Sequence, residues 1–341
     1  MMTDPNFPVA IDARAAARPE LGGVERWARE LVSRLPALRP GGYVVLRPPP
    51  AFTHAAGHAW EQVVLPLRAA RVGARALLCP ANLAPLAYPR SVVLVHDAAA
   101  LRHPGWYSRA YVAWQRLLLP AIARRARQLV TVSEFSRGEL AELLGVDPAR
   151  VAVIPGGVGE RFTPAADPEP ARQKLLLTRP YVLCVASQTA RKNLVALVPA
   201  ARALAAEGIE VVVAGGHRPQ FAREPGLEAL RRLGHVDDAL LPGLYAGASA
   251  FALPSSYEGF GLPVLEAMAA GTPVVAASAG ALPETCGDAA VLAAPEAFAD
   301  ALLALLGDDT ERERLRTAGL ARAARFTWDG TARAVDALLS A

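Results

Sequence analysis

Pro254-Ser-Ser-Tyr-Glu-Gly-Phe-Gly-Leu-Pro-Val-Leu-Glu266 follows directly on the apolar run Ala250-Phe-Ala-Leu253, and together they read as a strand, a glycine-bearing loop and a helix start. Pro263 sits where a first helical turn tolerates proline, because the amide it lacks has no intrahelical partner there. Backbone N–H groups near Gly261 and Leu262 then point outward from a positive helix terminus, a ready place for a phosphate or diphosphate. Gly259 and Gly261 let a ligand come close to the backbone. Glu258 lies in the loop and Glu266 about one turn into the helix. Two carboxylates at an anion-attracting end are costly unless each accepts hydrogen bonds, and sugar hydroxyls supply them. Either glutamate alone would pass for an ordinary helix-start residue; the whole string points to a site.

Outward from this stretch the same unit repeats. Short β-branched apolar runs at residues 9–11, 43–46, 76–79, 92–95, 129–132 and 151–154 each precede a segment with helical spacing. A second series follows at 181–185, 209–214, 250–253, 273–276 and 290–292. Nearly continuous apolarity over four to six residues suits parallel strands covered on both faces. The alternation predicts an α/β chain with two Rossmann-like parallel sheets facing a cleft, their ligand loops at the strand carboxyl ends. The proline-rich stretch 162–170 reads as an exposed connector. The expected domains are therefore 1–160, joined by a last helix at 329–341, and 161–328. Among the helices, Val24, Trp27, Leu31 and Leu35 share a face that Pro36 is expected to close. Ser136 with Glu139 fits a capping box, Ser133 is an equally good start, and Gly145 ends that helix. A break is expected at Trp328-Asp-Gly330.

The 341 residues, 52% hydrophobic and 20% charged, are enough for two cores and too apolar for wholesale disorder. A net charge of +4 gives a mild positive field, and no basic stripe with aromatic interleaving suggests nucleic acid. Cys79, Cys184 and Cys286 are far apart and read as small buried residues of a reducing cytoplasm. The N-terminal stretch has no basic-then-apolar signal segment. The uncharged residues 239–257 are broken by Pro242, Gly243, Gly247 and Pro254, and read as helix, turn and strand in a soluble core.

Glu258-Gly-Phe-Gly261 with Glu266 resembles the E-x7-E signature of the family 4 retaining glycosyltransferases, which have the GT-B fold. The flanks Leu244-Tyr-Ala-Gly-Ala248 and Glu266-Ala-Met-Ala-Ala-Gly-Thr-Pro-Val274 match too, and the likeness extends roughly from Gly22 to Trp328. The resemblance implies that Glu258 meets donor-sugar hydroxyls, that Glu266 holds the ribose, and that the amides of Gly259, Phe260, Gly261 and Leu262 meet the diphosphate. It also implies that the loop Gly22-Gly23 approaches the donor phosphates and that His96, of His96-Asp97, touches the transferred sugar. A satisfied histidine at a strand end is the plain alternative for His96. Val236, in Gly234-His-Val-Asp-Asp238, lies in the loop whose backbone receives the base. Asp237 and Asp238 are expected to cap the helix after them, and no metal and no cofactor are expected.

Arg191 and Lys192 look electrostatically misplaced at a helix start, which a bound diphosphate would make sense of. The family commonly has an arginine about six positions before the lysine, where this chain has Ala186-Ser187. Ser187 is then a donor contact, and either Arg191 takes the arginine's part or Lys192 carries the charge alone. The activity implied is metal-independent retaining transfer of a hexose, GDP-mannose first, from a nucleoside-diphosphate sugar to a saccharide or lipid-linked acceptor. A nucleotide-sugar epimerase and a non-catalytic sugar-nucleotide binding protein are the alternatives. Arg116, Arg124, Arg125 and Arg127, with Tyr107, Tyr111 and Trp114, read as a solvated helix face or as a peripheral contact with the inner membrane surface.

Overall fold

The computed structural model describes residues 7–19, 22–53, 57–216 and 225–341. The first half of the N-terminal stretch scanned for a signal, residues 1–6, lies outside them. Two six-stranded parallel sheets organise the chain. The first comprises β1 (Val9–Asp12), β2 (Tyr43–Leu46), β3 (Ala76–Cys79), β4 (Ser91–Leu94), β5 (Gln128–Thr131) and β6 (Val151–Val153), in the order β2-β1-β3-β4-β5-β6. The second comprises β7 (Tyr181–Val185), β8 (Glu210–Ala214), β9 (Arg231–Gly234), β10 (Ala250–Leu253), β11 (Val274–Ala277) and β12 (Val291–Ala293), in the order β12-β11-β10-β7-β8-β9. Strands without polar alternation, such as β1, β3, β10 and β11, are buried along their whole length, as the continuous apolar runs required.

Eleven of these strands coincide within a residue or so with the apolar runs. The twelfth, β9, carries Arg231 and Arg232 and pairs only with β8. An edge strand has one solvent-facing side and needs no apolar run, so periodicity does not reveal it.

The chain divides into two compact units: Met1–Arg102, Val112–Gly157 and Trp328–Ala341 form one; His103–Tyr111 and Val158–Thr327 form the other. The stretch 162–170 is largely exposed, as expected of a connector, with Phe162 its one buried residue. Phe162 is buried edge-on to Tyr245, 5.6 Å between ring centroids, and Glu169–Lys174 is helical. Prolines marked turns here, but burial of one aromatic ring tied the segment to the second unit.

Two helix ends differ from expectation, at Pro36 and at Trp328, and of the two starts offered for the helix Glu134–Leu144 the structure takes Ser133. The helix Gly23–Leu38 runs past Pro36, whose missing amide falls in the last turn, and Arg39 still donates to the Leu35 carbonyl. Ser133 rather than Ser136 caps Glu134–Leu144, its hydroxyl accepting from the Ser136 amide at 3.0 Å, and Gly145 ends it at φ +62°. Trp328 opens the last helix, Trp328–Ser340, instead of breaking the chain. That helix lies on Gly23–Leu38: Trp27 and Trp328 meet edge to face at 5.2 Å, Tyr43 donates to Asp336, and Arg75 Nη1 donates to the Leu339 carbonyl at 2.7 Å. Cys79, Cys184 and Cys286 are buried thiols. Among the described residues no helix is long and apolar enough to cross a membrane.

The second sheet has the 3-2-1-4-5-6 order of the doubly wound fold, with β7 between β8 and β10. Strand order reverses at β7, so the crevice outside the carboxyl ends of β7 and β10 is where such a sheet binds a ligand. In the first sheet the corresponding reversal lies at β1, between β2 and β3.

Candidate active site

Both chemically loaded loops of the second unit leave the sheet at that reversal. After β7 the chain passes Ser187 and makes a single 3₁₀ turn, Ala190–Lys192, closed by the Lys192 amide donating to the Thr189 carbonyl. Arg191 and Lys192 end this turn, and the α-helix Val198–Ala206 begins only six residues later. Between the turn and the helix a second 3₁₀ turn, Leu194–Leu197, runs straight into that helix, so both cations stand just ahead of a helical start, as expected. What sets them apart is burial: Lys192 is 7% exposed.

Its ammonium makes an ion pair with Glu258, from the loop after β10, and Arg191 Nη1 approaches the other carboxylate oxygen at 3.5 Å. Backbone bonds hold the two loops in this register. The Ser256 amide donates to the Arg191 carbonyl (3.0 Å), Arg191 Nη1 to the Tyr257 carbonyl (3.2 Å), and Asn193 Nδ2 to the Pro254 carbonyl (3.3 Å). Gly280 supports Glu258 from behind. At φ +58° it lies so close that a Cβ there would stand 2.7 Å from the Glu258 backbone N and O, and Ala281 donates to that same carbonyl.

Burial alone would raise the Glu258 pKa, but the Lys192 ammonium and then the Arg191 guanidinium overcome it and hold the carboxyl below its usual range. Burial pushes Lys192 down, against the pull of Glu258. With one carboxylate among two cations, the site keeps a net positive charge where water is scarce. Excess charge of that kind attracts an anion.

Three residues on, Gly261 is the N-cap of the helix Leu262–Ala269, at φ +104° and without a side-chain cap. Pro263 brings no amide and Val264 donates to the Gly261 carbonyl, so Leu262 supplies the outward donor of the first turn. Thr285 Oγ1 fixes the Phe260 carbonyl from the other side. Glu266, 5% exposed, accepts from Tyr245 Oη at 2.9 Å, and the Tyr245 carbonyl accepts from Thr272 Oγ1. The sequence quoted Tyr245 only as a flank; its role in orienting Glu266 has no signal short of the fold.

Ser187 and Gln188 lie beside the ends of β8 and β9: Gln188 Nε2 donates to the Gly215 carbonyl, and Gly215 in turn donates to Gly234. Val236 is buried in the loop that follows. Asp237 accepts from the Ala239 amide, two residues on, which is an Asx turn and no helix cap; Asp238 pairs with Arg161. The helix there starts at Leu241 without a side-chain cap. Among the described residues no group of His, Cys, Asp and Glu side chains could hold a metal ion.

The first unit holds the remaining expected residues. Gly22 is the N-cap of Gly23–Leu38, and its amide donates to Glu25 Oε2, whose other oxygen accepts from Arg18. His96 follows β4. Its Nε2 lies 3.0 Å from the Pro80 carbonyl, so that nitrogen carries the proton and Nδ1 is the acceptor. Burial lowers its pKa, keeping the ring neutral, and Trp27 packs edge-on at 5.6 Å. Asn82 Oδ1 fixes its backbone amide at 2.8 Å.

Sequence reasoning missed a buried group at the end of β1. Asp12, Arg14 and Glu61 are almost fully enclosed, and Arg14 Nη2 meets Glu61 Oε2 at 2.7 Å. Arg14 Nε and Nη1 and Glu61 Oε1 have no hydrogen-bond partner among the described residues. The residues are 47 apart and join through a π-helical segment, Trp60–Val64, so no local motif announces them.

The family described as Glycosyl transferases group 1 matches residues 179–308, and Glycosyltransferase Family 4 matches residues 72–161. The chain is 34% identical, over 70% of its length and 67% of the other's, to the O-antigen chain mannosyltransferase B of Escherichia coli. Of the curated relatives it matches, it spans about two thirds or less, 67% and 61% in two of them. Its fold superposes on sucrose-phosphate synthase from Thermosynechococcus elongatus with a TM-score of 0.76 and 21% identity, covering 98% of both chains. It also superposes on Anabaena HepE in complex with UDP-glucose, with a TM-score of 0.69 and 17% identity over 98% of this chain and 99% of that one. Two doubly wound sheets, the paired glutamates of the β10 loop and these matches together place the chain in the group 1, family 4 glycosyltransferases of GT-B fold.

Proposed function

We propose that the protein transfers a hexose, with retention and without a metal ion, from a nucleoside-diphosphate sugar to a hydroxyl of a saccharide or lipid-linked acceptor. The observation that carries this is the Lys192–Glu258–Arg191 group at the β7/β10 reversal, net positive and adjacent to an uncapped helix terminus. A diphosphate set there gains charge-assisted hydrogen bonds as it leaves, which is where such donors lower a barrier most. Glu258, held ionised, accepts from sugar hydroxyls; Glu266, oriented by Tyr245, accepts from the ribose. Neither glutamate is a free nucleophile, one being ion-paired and the other tied to a tyrosine. The leaving diphosphate then takes the acceptor proton on the same face. Arg191 and Lys192 act together where the family has its arginine.

GDP-mannose is the first donor to test, supported by the likeness to a mannosyltransferase. A thermal-shift panel of GDP, UDP, ADP and dTDP sugars, with and without magnesium, identifies the donor as the one nucleotide that raises Tm in a metal-independent way. Proton NMR of the transfer product then reads the anomer. A flat panel with folded protein at saturating ligand, or an inverted product, defeats this reading.

Peripheral contact with an anionic membrane surface has one supporting observation. On the helix Arg109–Arg125, Leu117 is 67% exposed among exposed Arg116, Arg124 and Arg125. An apolar side chain ringed by cations suits a headgroup layer. Salt-sensitive sedimentation with anionic vesicles is the expected outcome, and its absence removes the contact.

A further inference from the structure

The segment His103–Tyr111 comes from the first half of the sequence yet belongs to the second unit. It carries a run of aromatic rings that the donor site does not use. His103 stacks on Trp106 at 4.0 Å with planes 27° apart, and its edge meets Tyr257 at 5.7 Å. Tyr257 immediately precedes Glu258, and its carbonyl accepts from Arg191. Tyr107 and Tyr111 stack at 5.5 Å and 20°, fixed by Ser108 Oγ accepting from the Tyr111 amide. The rings of His103, Trp106, Tyr107 and Tyr111 are all only half-buried.

Half-exposed aromatic faces next to a reactive loop suit a ligand that is apolar on its face and polar on its rim. The segment contains no carboxylate, and Arg109 is its one cation. It offers no balance of charge for a phosphate or an ammonium. A pyranose ring fits: its C–H face lies on an indole, and its hydroxyls stay in water or reach neighbouring donors. The Tyr107–Tyr111 pair is closed on itself, not splayed as side chains entering a lipid headgroup layer would be, and the His103–Tyr257 contact makes the aromatic run continuous with the Glu258 loop.

We infer that Trp106, backed by His103, is a stacking platform for the acceptor, and that the acceptor recognised there is a saccharide ring. This rests on the transfer reading above, since it places the platform beside a donor-sugar site. Trp106 is a binding residue in this account and touches no reacting atom.

The test uses the full chain with mannotriose and maltotriose as probes, read by saturation-transfer NMR, alongside calorimetric titration of the donor nucleotide sugar into the same samples. Wild type is expected to saturate ring protons of at least one trisaccharide. W106A should weaken that binding about fivefold or more, while W106F keeps it within about twofold. Donor affinity should be the same in all three, which also shows that each variant is folded. Neither trisaccharide binding to wild type, or W106A binding as wild type does, overturns the platform. Loss of anionic-vesicle sedimentation in W106A with unchanged trisaccharide binding also overturns it, by making the segment a membrane contact. If no nucleotide sugar binds wild type, the transfer reading fails, whatever the trisaccharides do.

Discussion

The two sheets each bury an ionic group at the strand where their order reverses, and the groups are built to opposite ends. Beside β7, one carboxylate meets two cations, Glu258 is held ionised, and a helix terminus stands next to it. Beside β1, Arg14 faces Glu61 and Asp12; burial raises both carboxyls, Glu61 to about 7. The first arrangement carries surplus charge that an anionic ligand can neutralise. In the second, burial outweighs the cations Arg14 and Arg18 and moves both carboxyls toward the protonated form. Position in the fold alone therefore does not make an anion site; the charge that survives burial does.

The largest effect expected from this contrast is on turnover. Lys192→Ala removes the buried ammonium that pairs with Glu258 and that, in the proposed transfer, also meets the leaving diphosphate. A single donor lost at developing charge costs about 10²–10³ in kcat, or roughly 3–4 kcal/mol. Steady-state kinetics with the identified donor checks it. A loss of only a few-fold would mean that Arg191 alone holds the diphosphate, and the two reversals would differ less than their charges suggest.

The next effect sharpens the other side. The fold favours protonated Glu61, so between about 4.5 and about 7 the folded chain holds more protons than the unfolded one. Its contribution is complete below the lower value and is lost as pH rises through the upper one, on the order of 3 kcal/mol from the size of that shift. Asp12 acts in the same direction. Neighbouring His58 acts oppositely: burial, then Arg14 and Arg18, lower it to about 4, so its contribution grows with pH up to the ordinary histidine range. Glu61→Gln should remove Glu61's share of the fall and leave Asp12's share and the His58 rise. Four of the five tryptophans, Trp27, Trp60, Trp114 and Trp328, lie in the first unit and Trp106 in the second, so fluorescence-detected urea midpoints from pH 5 to 8 follow the first unit when read in a W106F background. Parallel profiles for wild type and E61Q would sink the assignment. Glu258 has the reverse sign: its contribution is present above the ordinary carboxyl range and is lost only as pH falls below it.

That contrast also separates what the sequence discloses from what it does not. The second reversal is legible because its parts lie within one string: strand, glycines, both glutamates and Pro263 fall between residues 250 and 266, and local rules place them all. Lys192 is legible as a cation between a strand end and a helical start, but its burial and its ion pair are not. The 3₁₀ turn put it at a turn's end, and its partner is 66 residues away. The Arg14–Glu61 pair, Tyr245 behind Glu266 and the edge strand β9 were silent because each depends on contacts between distant segments or on solvent at a sheet edge. Within the largely exposed stretch 162–170, burial of Phe162 was silent for a related reason: prolines act locally, whereas burial of a ring is decided by what the chain brings to it.

Glu266 gives a smaller effect and a finer one beneath it. If Glu266 holds the donor as proposed, Glu266→Ala removes a charge-assisted hydrogen bond of roughly 1.5–3 kcal/mol and should weaken donor binding about tenfold or more. Titration calorimetry reads this directly, and unchanged affinity would defeat the ribose assignment.

Tyr245→Phe reaches the same carboxylate from behind. The Tyr245 hydroxyl bonds Glu266 Oε2 at 2.9 Å, while the ring stays wedged between Phe162 and Phe251, so the substitution deletes one oxygen and leaves the packing. The expected loss is about 1 kcal/mol, roughly fivefold in donor affinity, with Tm nearly unchanged. Should Tm fall instead and affinity hold, the tyrosine serves the core and not the site. The β7 reversal would then resemble the β1 reversal more closely, with a buried carboxyl whose surroundings answer to folding alone.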